Sequence, residues 1–416
     1  MKKYVLVGTG VRGIASYIRP LIKDYTDCAD LSAVYDINEK RAHAAVKMEN
    51  AQNVKVYTDF DEMIKTEKPD TVIITTKDCT HDFYAIRAME LGCDVISEKP
   101  LTTDENKFDN IYDCMKRTGK NVTVTFNMRF HPLYSFAKEL MMKNVVGRVL
   151  SVHFEWMLDT KHGADYFRRW HRNRENSGSL IIHKATHHFD IVNWLLDQHP
   201  VKVNAFGLRG FYGQENGGFD GVRCCECPKK DSCKYFFDIV NGEEHFRNLY
   251  KNCEGEDGYF RDRCIFSELI DIEDTMSVNI LYDKGTVCSY SLTAHSPYEG
   301  NKFVMNGTDG RMEVTSMYNQ ENKKHEMYVK IFHRDGTVST YTDFTRNTGE
   351  KDFEGGHGGA DVEMRNMIFR GYREDNLGQI AGVEDAAMSI GVGIAANKSL
   401  KGDKAVYVKD LFGFTK

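Results

Sequence analysis

The sequence is poor in proline, with 7 residues in 416, and it has no Ser/Pro or Gln/Asn tract, so long disordered segments are not expected. It also lacks a basic excess. Its 55 Lys and Arg face 61 Asp and Glu, for a formal net charge of −6, which argues against the clustered positive surface that a nucleic-acid binder needs. No apolar run approaches the ~18 residues of a membrane-spanning helix. Met1-Lys2-Lys3 leads at once into Tyr4-Val5-Leu6-Val7 and Gly8, without the apolar stretch of about 7–15 residues and small-residue cleavage site of a secretory signal. The expectation is a cytoplasmic protein with no nucleic-acid or membrane partner. What is present, 41% hydrophobic and 28% charged residues, is the balance of a globular chain able to bury a core. Eleven cysteines in a reducing compartment then read as thiols or metal ligands rather than disulfides.

Residues 1–126 alternate short apolar runs (Tyr4–Val7, Leu31–Tyr35, Thr71–Thr75, Asp94–Ser97, Val122–Phe126) with segments of helical spacing. That alternation predicts a doubly wound parallel sheet with right-handed crossovers. From residue 127 to 416 the pattern changes. Helices are expected over Leu133–Lys143, Leu180–Leu196 and Met388–Ser399. Strands are expected over Val149–Leu158, Met276–Tyr282, Thr286–Ala294, Phe303–Gly307, Arg311–Thr315, Met327–His333, Val338–Tyr341 and Ala405–Val408. Short Asp/Gly turns between successive runs imply an open, mainly antiparallel meander. Residues 208–266, rich in Gly, Cys and charge, read as an insertion.

Gly8-Thr9-Gly10-Val11-Arg12-Gly13 follows the first strand and opens a helix. In that context G-x-G-x-x-G is a dinucleotide turn. The first glycine makes the bend, the second admits pyrophosphate, and the third brings helix onto strand, while the helix N-terminus offers its unpaired N–H groups to phosphate. Asp36 ends the second strand, about 20 residues on, where a carboxylate accepts the ribose hydroxyls of NAD and repels a 2′-phosphate. NAD is therefore expected over NADP, with Arg12 as a complication because it could meet a phosphate. Lys99 follows the strand Asp94–Ser97 in Glu98-Lys99-Pro100 and reaches the cleft beyond the strand ends. His183 and His187, at i and i+4, share one helix face with Asp190 and Trp194. Imidazole is the side chain best matched to proton abstraction near neutral pH.

The order of G-x-G-x-x-G, the strand-end Thr76-x-x-x-x-His81, Glu98-Lys99-Pro100 and Asn127-Met128-Arg129-Phe130 resembles the Gfo/Idh/MocA oxidoreductases. The resemblance spans essentially the whole chain outside the insertion. It implies NAD(P)-dependent oxidation or reduction of sugars, inositols and related polyols, on a Rossmann domain followed by an α/β domain with an open antiparallel sheet. It implies cofactor contacts at Gly8, Gly10, Val11, Arg12, Gly13, Asp36, Thr76, His81, Glu98, Lys99 and Asn127, and places Lys99 on the reacting hydroxyl and the nicotinamide ribose. The family's G-G-G-x-x-x-D-x-G-x-H pattern maps its final His onto His187 but finds His183 at the Asp position and Ala185 at the Gly. The catalytic group is thus Lys99, His187 and His183, with His187 as leading base and the choice among them open.

Further stretches resemble the branch of the family that acts on glycosides and modified sugars: His162–Arg172, the His183-Lys184-Ala185-Thr186-His187-His188 helix, Ser296–Gly300 and Gly355–Asp361. They imply sugar contacts from Tyr166, Arg168, Arg169, Trp170, His171, Lys184, Tyr298 and His357. The expected activity is hydride transfer between nicotinamide and a secondary hydroxyl of a small carbohydrate, with the carbon 3 hydroxyl of a glycoside as one candidate. One alternative is redox-neutral glycoside cleavage, in which oxidation acidifies the neighbouring C–H and allows elimination. The other is a non-catalytic NAD-binding sensor. Cys224, Cys227, Cys233 and Cys264 have the spacing of a structural zinc site, with an iron–sulfur cluster as the less favoured occupant. An open sheet face suggests a homo-oligomer.

Overall fold

The computed structural model describes residues 1–217, 222–319, 324–344 and 359–413. His357 and most of its glycine loop lie outside them.

The first sheet has six strands: β1 Lys2–Val7, β2 Ala29–Tyr35, β3 Lys55–Tyr57, β4 Thr71–Ile74, β5 Asp94–Ser97 and β6 Val122–Val124. All are parallel, in the order β3-β2-β1-β4-β5-β6. The central strands are buried on both faces, as continuous apolar runs such as Val5-Leu6-Val7 and Val72-Ile73-Ile74 require. Strand order reverses between β1 and β4, and their carboxyl ends open the crevice where a doubly wound fold binds ligands. β3 escaped the sequence reading because three residues, Lys-Val-Tyr, carry too little periodicity to separate from a loop.

The second sheet has nine strands: β7 Val149–Asp159, β8 Pro200–Leu208, β9 Thr275–Tyr282, β10 Val287–Ser296, β11 Gly300–Gly307, β12 Gly310–Asn319, β13 Lys324–His333, β14 Val338–Tyr341 and β15 Val406–Tyr407. Their order is β14-β13-β12-β11-β7-β10-β9-β8-β15. The sheet is mixed, not a simple meander: β7 lies between β10 and β11, parallel to the first and antiparallel to the second. Burial alternates along β9 and β10, so one face looks inward. Helices Ala185–Leu196 and Val383–Gly402 pack on the sheet's inner side.

The predicted helix over 180–196 is broken at Lys184 into Leu180–His183 and Ala185–Leu196. The break separates the backbone of His183 from that of His187 and lets each ring take its own direction. The insertion is built of short helical turns, closed by Arg223 between Asp262 at 2.8 Å and Glu254 at 2.8 Å. Its root is fixed by Asp274, whose carboxylate accepts the Gly210, Phe211 and Tyr212 N–H groups. Its other end, through Ile239, Leu249 and Tyr250, joins the apolar cluster of Tyr4, Leu6, Ile14 and Tyr17 on the first domain. Among the described residues no helix is long and apolar enough to cross a membrane.

Candidate active site

One cavity of about 570 Å³ runs from the glycine turn to the histidines of the second domain. At its first end, Gly8 bends the chain at φ +95°, and a Cβ there would lie 2.8 Å from Thr75 O. Gly13 brings the helix against the strand so closely that a Cβ would meet Gly8 O at 2.3 Å; it packs and does not line the cavity. Gly10 lines the cavity, and the nearest atom to a Cβ there is Tyr250 Oη at 3.5 Å. The exposed backbone beside an open cradle fits a dinucleotide pyrophosphate. Asp36 is oriented by the Thr9 N–H at 2.8 Å and the Asn38 N–H at 2.9 Å, and it is gripped by Arg41.

Val11, Arg12, Thr76, His81, Glu98 and Lys99 also line the cavity. Arg12 is not a free cation. Its Nε donates to Glu98 at 2.8 Å and its two terminal nitrogens donate to Asp361 at 2.9 and 3.1 Å, so its charge is balanced twice. Both ring nitrogens of His81 lie on carbonyls, Pro100 O at 2.8 Å and Thr76 O at 3.2 Å, which makes it a brace for two strand ends. Asn127 is buried away from the cavity and donates to Asp361 Oδ1 at 2.7 Å.

At the other end Lys99 meets the histidines. Its ammonium donates to His183 O at 2.9 Å. Burial draws its pKa down to about 8, against the support of Asp78. The His183 Nδ1 is 2.6 Å from Asp78 Oδ2. Burial, followed by the charge of Lys99, pushes His183 well below the ordinary imidazole range. Burial likewise lowers His171, whose ring stacks on Trp170 at 3.7 Å and approaches His183 at 4.1 Å. Burial raises Asp78, and Lys99 opposes the rise. His187 is buried on the same cavity wall, with its ring edge-on to Phe126 at 6.1 Å. The neutral rings of His171 and His183 thus stand beside a carboxyl group and one titratable ammonium.

Tyr166, Arg169, Trp170, His171 and Lys184 line the cavity, with Lys184 5.1 Å above the Trp156 ring. Arg168 points the other way, into the insertion, toward Tyr235 O and Cys224 Sγ. Tyr298 is not in the wall; its neighbour Glu299 is, 3.0 Å from His162 Nδ1. Asp78, Trp156, His162, Glu299, Tyr250, Asp257 and Tyr259 join the wall without having been singled out. Asp78 and Glu299 fell inside motifs that drew attention to their neighbours, and Trp156 follows the two-residue alternation of β7. The three insertion residues had no local signal.

Zinc at Cys224, Cys227, Cys233 and Cys264 is not supported. Among the described residues no group of three or more His, Cys, Asp or Glu is disposed to hold a metal, and the same absence removes support for a cluster. The four thiols do border one small pocket, but Arg168 and Arg223 line it too, and Arg168 donates to Cys224 Sγ at 3.1 Å. These guanidinium groups bring positive charge into the space a cation would need.

The description "Oxidoreductase family, NAD-binding Rossmann fold" matches residues 2–126, and "Oxidoreductase family, C-terminal alpha/beta domain" matches residues 138–409. The chain is 33% identical to YteT of Bacillus subtilis (strain 168), a protein named as a candidate oxidoreductase, over 99% of each chain. It is 29% identical to inositol 2-dehydrogenase 2 of Saccharopolyspora erythraea over 48% of this chain and 55% of that protein. In fold it is similar to an Agrobacterium radiobacter oxidoreductase solved with NAD+, L-tartaric acid and magnesium (TM-score 0.64, 14% identity, 99% of both chains). With both halves matched, and the glycine turn joined by one cavity to a lysine–histidine cluster, the chain belongs to the Gfo/Idh/MocA family as an NAD-binding oxidoreductase.

Proposed function

We propose that the protein transfers hydride between NAD and a secondary hydroxyl of a small sugar, glycoside or polyol, with residues 1–126 holding the cofactor and 127–416 the substrate. The observation that carries this reading is the single cavity joining the glycine turn and Asp36 to Lys99, His183 and His187. The nicotinamide, when bound, supplies the hydride acceptor. Lys99, as the ammonium, donates to the substrate oxygen and stabilises its developing negative charge. His187 accepts the hydroxyl proton. His183, held by Asp78, keeps a neutral ring beside Lys99 and orients the hydroxyl. Trp170, Trp156 and Tyr166 offer faces for the sugar ring, and His162, Glu299 and Arg169 offer hydrogen bonds to its other hydroxyls.

The test is a panel of sugars, glycosides and polyols incubated with the purified protein and NAD, following reduced-cofactor absorbance and product masses. A keto-sugar formed with one equivalent of NADH is expected. Lys99→Ala should lower turnover at least a thousandfold while leaving NAD binding in place. Unchanged turnover in that variant would overturn the role given to Lys99, and no turnover of any compound in the panel despite NAD binding would overturn the activity and favour a binding protein.

A further inference from the structure

The insertion extends from the second domain onto the ribose end of the cofactor cleft. Tyr250 accepts the Val11 N–H at 3.2 Å, Asn38 Nδ2 donates to Cys253 O at 2.8 Å, and the Lys40 N–H donates to Glu256 at 3.1 Å. Tyr250, Asp257 and Tyr259 line the same cavity as Gly10, Asp36 and Arg41. Arg41 is the residue of interest. It stands five positions after Asp36, and an arginine beside the ribose acid is the usual means of accepting a 2′-phosphate. Here its Nη2 donates to Asp36 Oδ1 at 2.9 Å and to Asp257 Oδ2 at 2.6 Å, and its Nε approaches Asp36 Oδ2 at 3.3 Å.

We propose that Asp257, supplied by the insertion, is a specificity residue that disarms Arg41 and so excludes NADP. One guanidinium between two carboxylates leaves the ribose end with net negative charge, and the two carboxylates take its Nε and Nη2 donors. With Asp36 alone, the second N–H of Arg41 Nη2 would be open to a phosphate, and Asp257 takes it. This inference rests on the cavity being the dinucleotide site.

The experiment measures dissociation constants for NAD+ and NADP+ separately on the full-length protein, by quenching of the tryptophans in the cavity wall. Asp257→Asn should improve NADP+ binding relative to NAD+ at least tenfold. Asp257→Ser removes the same charge by a second route and should do likewise. Asp257→Glu should retain the wild-type ratio, and Arg41→Ala combined with Asp257→Asn should lose the gain. A ratio within threefold of wild type in both neutral variants, or a gain that survives loss of Arg41, overturns the proposal. Failure of the wild type to bind either dinucleotide would overturn the cofactor site itself, a result distinct from an unchanged ratio.

Discussion

Two glycines three residues apart should respond to the same substitution in opposite ways. A methyl group at Gly13 would stand 2.3 Å from Gly8 O and 2.8 Å from Thr75 Oγ1. Neither neighbour can retreat, because Gly8 O belongs to the turn itself and accepts the Thr75 hydroxyl at 2.6 Å. Overpacking of this kind costs about 1–3 kcal/mol, and backbone as the obstacle puts Gly13→Ala at the upper end. At Gly10 the nearest atom would be Tyr250 Oη at 3.5 Å, an ordinary contact, and the backbone there has no positive φ. Gly10→Ala should therefore fold with stability within about 0.5 kcal/mol of wild type. Its methyl projects into the cradle, however, and NAD affinity should fall by a factor of about 10 to 100, equivalent to about 1.4–2.8 kcal/mol. Urea unfolding without cofactor and fluorescence titration with NAD+ separate the two. The reasoning fails if Gly10→Ala unfolds as early as Gly13→Ala, or if it binds NAD+ within threefold of wild type.

Asp78→Asn should lower kcat/KM by about 10- to 100-fold, the worth of a charge-assisted hydrogen bond of about 1.5–3 kcal/mol. Lys99 acts as the ammonium, so activity should fall above pH about 8. The carboxylate favours that charged form, so its loss should move the alkaline limb to lower pH; a limb that stays in place in kcat/KM against pH would contradict the pairing. Trp170→Ala should raise KM for the sugar about tenfold with a smaller change in kcat, read from steady-state kinetics, because it removes a stacking face and not a proton carrier. An equal loss in kcat would place Trp170 in support of His171 instead.

The cofactor half was legible because its signals are local. The glycine turn, Asp36 and Glu98-Lys99-Pro100 each sit at a strand end, and strand ends in a parallel sheet converge. The substrate half was legible in part. Alternation marked most strands of the second sheet, but β8 was missed and the sheet was taken for a meander. Nothing local records that β7 slips between β10 and β11, since that pairing is settled by which apolar faces meet. Arg168 and Arg169 are adjacent and alike in sequence, yet one faces the cysteines and the other the cavity; the helix ends at Arg168 and the backbone of Arg169 is extended, which separates their directions. The pairing of Asp78 with His183 joins residues 105 positions apart, and the reach of Tyr250 to Val11 spans 239. No spacing rule covers either.

The crevice is a seam whose two lips share the pairing of Asp78 with His183 and of Lys99 with the His183 carbonyl. Asp78 and Lys99 hang from the first sheet, while His171, His183 and His187 belong to the second domain. The lips are stitched by Arg12 to Asp361 and by Lys398 to Glu105. Reactivity and apposition are therefore one variable. A slight hinge movement would part imidazole from carboxylate long before it emptied the cleft, so turnover is a gauge of how well the two halves are seated, and a loosened stitch far from the sugar would register as a slow enzyme with an intact cofactor.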